Sequence, residues 1–187
     1  EGAGTNIIKI TGVEKLKDVS YSIMPDRIEA GTLLCAVAIT GGKVKLNKVI
    51  PEHINQILNK LEQTGCEIKI ENKCVCLKAP KKIKAVDIKT MPYPGFPTDM
   101  QSVFASILTI AKGNSVIVEN IFENRYKYVS ELKRMGAKIT VEGRIAVIKG
   151  CKKLSGATVE STDLRGGAAL VVAGLVAKGT TTVNKIG

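Results

Sequence analysis

Three stretches of this chain can be laid over one another, and that self-similarity restricts the fold more than any other feature. They are PDRIEAGTLLCAVAITGGKVKLNKV (25–49), PTDMQSVFASILTIAKGNSVIVENI (97–121) and STDLRGGAALVVAGLVAKGTTTVNKI (161–186). Each has an acid (Asp26, Asp99 or Asp163), then an apolar helical run, then a glycine (Gly42, Gly113 or Gly179), then a strand pattern. A second block follows the first two stretches: PEHINQILNKLEQTGCEIKIENKCVCL (51–77) and FENRYKYVSELKRMGAKITVEGRIAVI (122–148). In the former, Ile54, Ile57, Leu58 and Leu61 recur at helical spacing, which predicts an amphipathic helix. Gly65 and Gly136 suit helix C-caps. Lys133 and Arg134 fall in a last turn, where cations suit the helix dipole. Two short strands across a tight turn follow each helix.

The expected architecture is therefore α/β (α+β), made of repeated βαβαββ units at about 16–80, 83–150 and 154–187, the last truncated. The truncation predicts either closure by other segments or a piece of a longer protein. The first helix of each unit is apolar nearly all round, and GGAALVVAGLVA (166–177) has no polar face, which predicts burial on every side. Gly166, Gly167, Ala168 and Ala169 are small enough to let such helices approach closely.

Composition narrows the partners. The longest apolar run, Ala168 to Ala177, is too short to span a bilayer and reads as a buried helix, so no membrane role is expected. No leader pattern is read at the start, where Glu1 stands in place of an initiator Met. Five scattered cysteines (Cys35, Cys66, Cys74, Cys76, Cys151) argue against a disulfide framework and for a reducing cytoplasm. Cys74 and Cys76 share one strand face, where buried thiols are expected. A single His and no second Cys pair predict no metal site. The net charge of +11 favours anionic partners. The lysines form no tract denser than 78–89, and no aromatics interleave them, which argues against nucleic acid.

The stretch PYPGFPTDMQ (92–101) poses the functional question. Pro92, Pro94 and Pro97 stiffen the approach to Asp99. Thr98 and Gln101 have capping-box spacing, and Asp26, Asp99 and Asp163 at equivalent places suggest helix caps. A carboxylate on a rigid loop beside a helix N-terminus also suits a general base facing an anionic substrate. In ENIFENRYKYV (119–129) the plain reading is a cap at Asn124 with Arg125 exposed. Arg165 follows Asp163 at a helix start, where it opposes the dipole. It is read either as an anion contact or as a salt bridge to Asp163.

Taken in order, GAGT (2–5), PDRIEAGT (25–32), PYPGFPTDMQ, IFENR (121–125), ELKRMGA (131–137) and DLRGGAALVVAGL (163–175) resemble the UDP-N-acetylglucosamine 1-carboxyvinyltransferases. The resemblance spans nearly the whole chain. It implies a single domain (1–187) from the C-terminal half of an enolpyruvyl transferase, with an inside-out α/β barrel of repeated units around buried helices. It implies addition of the 3'-hydroxyl of UDP-N-acetylglucosamine to phosphoenolpyruvate, without metal or organic cofactor, for peptidoglycan synthesis in the cytoplasm. Asp99 matches the acid proposed as general base. Ile121 matches the residue whose backbone meets the amino sugar, with Phe122, Glu123, Asn124 and Arg125 beside it. Asp163, Leu164 and Arg165 match a segment of the cleft. The family's cysteine general acid, its Lys-Asn pair and several arginines have no match here, so the chain alone is expected not to turn over. Two other readings stay open: a basic module binding anionic nucleotides or nucleic acid, and an enolpyruvyl transferase acting on shikimate 3-phosphate.

Overall fold

The computed structural model describes residues 1–5 and 7–186. Helix α1 (Arg27–Thr40) is followed by strand β1 (Lys43–Asn47), helix α2 (Asn55–Gln63) and the hairpin β2 (Glu67–Glu71) and β3 (Cys74–Lys78). Next come β4 (Ile88–Lys89), α3 (Gln101–Leu108), β5 (Asn114–Val118), α4 (Val129–Arg134) and the hairpin β6 (Lys138–Glu142) and β7 (Ile145–Lys149). The chain closes with β8 (Thr158–Glu160), α5 (Leu164–Gly174) and β9 (Thr182–Asn184). No helix among the described residues is long and apolar enough to cross a membrane.

The amphipathic pattern of α2 is met: Ile54, Ile57, Leu58 and Leu61 are all buried. Both predicted glycine stops form, with Gly65 at φ 102° and Gly136 at φ 91°. In each, the residue after the glycine donates back into the last turn, Cys66 N to Leu61 O at 3.1 Å and Ala137 N to Leu132 O at 3.0 Å. The glycine amides donate there too, Gly65 N to Glu62 O at 2.8 Å and Gly136 N to Lys133 O at 2.9 Å, so two hydrogen bonds at each helix end satisfy carbonyls that would otherwise be orphaned.

The strands form three separate sheets, in the orders β1-β3-β2, β4-β5-β7-β6 and β8-β9. No closed barrel forms among the described residues, because each strand pairs only within its own stretch of chain. Within the second and third sheets, β4 pairs parallel to β5 and β8 parallel to β9. The matching strand expected before α1 is missing. Residues 7–26 form no strand and are exposed, and β1 pairs with β3 alone. The C-x-C pair also departs from expectation. Cys74 and Cys76 do share a face, but it is the half-exposed one, and Val75 and Leu77 take the buried side.

Helices α1, α3 and α5 pack against one another. Only α3 meets the expectation of burial on every side, with all eight residues buried. Leu33 on α1 and Val171 on α5 are about half exposed, as is Leu175 just past α5. Hydroxyls knit the α3–α5 seam: Ser106 Oγ donates to Ala169 O at 2.7 Å and Ser102 Oγ to Arg165 O at 2.9 Å. The small residues act differently along α5. Ala169 lies in the seam, whereas a Cβ at Gly166 would sit 2.8 Å from Thr162 Oγ1 and 3.2 Å from Tyr128 Cβ. That glycine makes room for the turn before α5 and for the residue that starts α4, not for α1 or α3.

Candidate functional site

The proline stretch is held shut by its own backbone. Met91 N donates to Phe96 O at 3.0 Å, and Gly95 N donates to Pro92 O at 2.8 Å. Phe96 is buried and meets Phe104 of α3 edge-on, with ring centroids 5.5 Å apart. A single 3-10 turn, Thr98–Met100, then leads into α3.

The three equivalent acids separate at this point. Asp26 caps α1, accepting from Ile28 N at 2.7 Å and Glu29 N at 3.3 Å. Asp163 caps α5, accepting from Arg165 N at 3.0 Å and Gly166 N at 2.9 Å. Asp99 caps nothing. Its Oδ1 accepts from Arg125 Nη2 at 2.9 Å and its Oδ2 from Arg165 Nη2 at 3.3 Å. The capping box of Thr98 and Gln101 does not form. The Thr98 hydroxyl donates to Glu119 Oε2 at 3.0 Å, and Gln101 is buried. Of the two readings of Arg165, the ion pair to Asp163 does not form, and the guanidinium pairs with Asp99 instead.

Arg125 is not the exposed arginine of the plain reading. Its side chain is 18% exposed, and its guanidinium carbon lies 5.4 Å from the centroid of the Phe122 ring. Such a face attracts a cation and holds it in one orientation. Asn124 caps no helix, since α4 begins at Val129 without a side-chain cap.

A cleft of about 370 Å³ opens beside Asp99, between the proline stretch and residues 52–57. Arg27, His53, Tyr93, Asp99 and Ile121 are among its walls. The loop residue Arg125, the turn before α3 and the second residue of α5 thus meet around one carboxylate. Arg125 and Arg165 together carry two positive charges against the one negative charge of Asp99 that they share, and Arg27 and Glu52 lie in the walls of the adjoining cleft. Behind it, Tyr126 donates to Ile117 O at 3.0 Å and Arg144 O at 3.1 Å. Burial pushes its phenol up to about 12. Tyr128, wholly buried, is pushed well up for the same reason.

Asp99, Ile121, Phe122, Arg125 and Arg165 are therefore brought together, with Asp163 fixing the start of α5. Glu123 is not: it is mostly exposed and pairs with Arg144 at 3.6 Å. Leu164 projects into solvent, 78% exposed. Arg27, His53 and Glu119 were not singled out by sequence. The one available signal was an acid directly after the apolar strand SVIV, at Glu119.

Comparison with known proteins bears on this geometry. The family model described as EPSP synthase (3-phosphoshikimate 1-carboxyvinyltransferase) matches residues 1–187. The chain is 56% identical to a UDP-N-acetylglucosamine 1-carboxyvinyltransferase of Trichlorobacter lovleyi, over 100% of this chain and 44% of that protein. It is 54% identical to the protein of that name from Desulfofundulus thermocisternus, over 99% of this chain and 76% of that one. The chain belongs to the UDP-N-acetylglucosamine 1-carboxyvinyltransferase family. It spans 44–45% of the length of the first curated relatives it matches. Among solved structures it resembles the enolpyruvyl transferase NikO from Streptomyces tendae, with a TM-score of 0.75 at 23% identity, over 88% of this chain and 39% of that one. An EPSP synthase from Acinetobacter baumannii gives a TM-score of 0.66 at 19% identity, over 87% of this chain and 39% of that one. The mixed α/β fold is thus that of the enolpyruvyl transferases.

Proposed function

We propose that this chain is the acceptor-side domain of an enzyme that moves the enolpyruvyl group of phosphoenolpyruvate to the 3'-hydroxyl of UDP-N-acetylglucosamine. The observation that carries the reading is Asp99. It alone of the three equivalent acids is withheld from capping and is gripped by two arginines at the edge of a cleft. In this proposal Asp99 takes the proton of the attacking hydroxyl. Arg125 and Arg165 fix its carboxylate and balance negative charge as the tetrahedral adduct forms and phosphate leaves. The backbone of Ile121 faces the amino sugar, and Phe122 supports Arg125. Asp163 orients Arg165 through the α5 cap, and Leu164 and Glu123 lie at the rim.

The general acid and the rest of the phosphate site belong to a second domain. The three stretches of this chain then form one inside-out barrel, completed by chain outside residues 1–187. The product feeds cell-wall peptidoglycan in the cytoplasm, with no metal or cofactor. The relatives at 52–56% identity carry the UDP-N-acetylglucosamine name, which favours that acceptor over shikimate 3-phosphate.

The test is Asp99→Asn in the full-length enzyme, assayed for phosphate release with each acceptor. The expected result is turnover with UDP-N-acetylglucosamine alone, and a fall in kcat of roughly 10²–10⁴-fold in a variant that keeps its fold. Unchanged kcat would remove Asp99 from the base role, and turnover with shikimate 3-phosphate would reassign the substrate.

A further inference from the structure

A second carboxylate lies beside the cleft, and the chemistry proposed above does not use it. Glu119 follows the last residue of β5 and is fully buried. Its Oε1 accepts from Thr90 Oγ1 at 2.8 Å, Ile121 N at 2.9 Å and Phe122 N at 3.2 Å. Its Oε2 accepts from Thr98 Oγ1 at 3.0 Å. Thr90 Oγ1 in turn accepts from Asn120 N at 2.8 Å. No ion pair to Glu119 forms among the described residues; the nearby Arg144 is spent on Asn120 O and Glu123.

Burying a carboxylate is costly unless hydrogen bonds replace its water, and here four donors do so. Those donors come from three separate pieces of chain. Thr90 follows β4. Thr98 directly precedes Asp99. Ile121 lines the cleft and Phe122 follows it. One rigid, two-oxygen group therefore sets the distance between the Asp99 turn and the Ile121–Phe122 backbone.

We infer that Glu119 is a positioning residue, a buried staple that holds the base and the backbone facing the nucleotide sugar in one register. The inference rests on the proposed function. The side chain touches neither substrate; it acts through Thr98 and through the two amides.

The experiment uses the full-length enzyme carrying Glu119→Gln, Glu119→Ala or Thr98→Val, with thermal unfolding, amide hydrogen exchange and steady-state kinetics on each. Glutamine keeps one acceptor for the amides and can turn its NH2 to the Thr98 hydroxyl, so it is expected to stay near parent activity. Alanine is expected to lose about 10²-fold in kcat/KM for UDP-N-acetylglucosamine, because reacting groups are misplaced by an ångström or less. Its KM for phosphoenolpyruvate should hold. The Ile121 and Phe122 amides should exchange at least ~10²-fold faster while those of α3 do not change. A folded alanine variant with parent kinetics and protected amides would overturn the inference, as would a rise in the phosphoenolpyruvate KM as large as that for UDP-N-acetylglucosamine. If the alanine variant does not fold, Thr98→Val decides. It cuts only the Oε2 tether, and an unchanged kcat for it would sink the idea. If the parent protein shows no transferase activity, the proposed function falls, and exchange at Ile121 and Phe122 still decides whether Glu119 is the staple.

Discussion

Replacing Phe104 with alanine tests how the proline stretch is anchored. The ring is fully buried on α3 and stands edge-on to Phe96, which closes the loop that delivers Asp99. Truncating a buried phenylalanine costs about 3–5 kcal/mol, the spread reflecting how far the cavity collapses. The edge-to-face pair accounts for roughly 0.5–1.5 kcal/mol of that. At 187 residues, each kcal/mol lowers Tm by about 2–4 °C, so Phe104→Ala should melt roughly 6–20 °C below the parent. Phe104→Leu keeps most of the volume and loses chiefly the ring geometry. It should cost no more than about 1.5 kcal/mol. Thermal unfolding of the chain reads both, and hydrogen exchange at Met91 N reports whether the loop has loosened. An alanine variant within about 1 kcal/mol of the parent would refute the reasoning, since no cavity mechanism gives so little for a fully buried ring. Equal losses for alanine and leucine would place the energy in the ring pair and not in volume.

The remaining expectations follow from single contacts. Asp26→Ala should cost about 1 kcal/mol in urea unfolding through loss of the α1 cap. Gly150→Ala should lose about 3 kcal/mol or fail to accumulate as folded protein, because its new methyl runs into the Ala111 carbonyl oxygen, a backbone atom with no rotamer to yield. Alkaline titration followed by ultraviolet absorbance should leave Tyr126 protonated until about pH 12. Because that value lies above the unfolded one of about 10, its neutral form adds stability that is complete below about pH 10 and is lost as pH rises through the folded value. Ionisation of all four tyrosines together near the ordinary value would contradict this.

Local signals were readable, and long-range ones were not. The apolar stripe of α2 and the glycines ending α2 and α4 were legible because a helix and its cap are specified within a few residues. The all-round burial expected of the apolar helices held for α3 alone. Composition reports how apolar a helix is, but neighbours decide how many of its sides are covered, and α1 and α5 each keep one side open. Asp26, Asp99 and Asp163 look alike in sequence. They differ because the partners of Asp99 lie 26 and 66 residues away, at Arg125 and Arg165. Glu119 drew little notice for the same reason, since its threonine partners are 29 and 21 residues distant. Residues 16–24 alternate well enough to suggest a strand, but alternation does not supply a pairing edge, and here none is taken up.

The serine seam between α3 and α5 has a consequence for variation within this protein. Ser102 binds the carbonyl of Arg165, the residue whose guanidinium grips Asp99, and Ser106 binds Ala169 one turn deeper. The spacing of the two helix starts, and with it the grip on Asp99, is therefore set partly by hydroxyls that no ligand in the cleft would touch. Exchanging Ser106 for a residue of another size would slide one helix start against the other. The seam thus works as an adjusting screw, through which substitutions deep in the core can change the aim of a carboxylate nearer the surface.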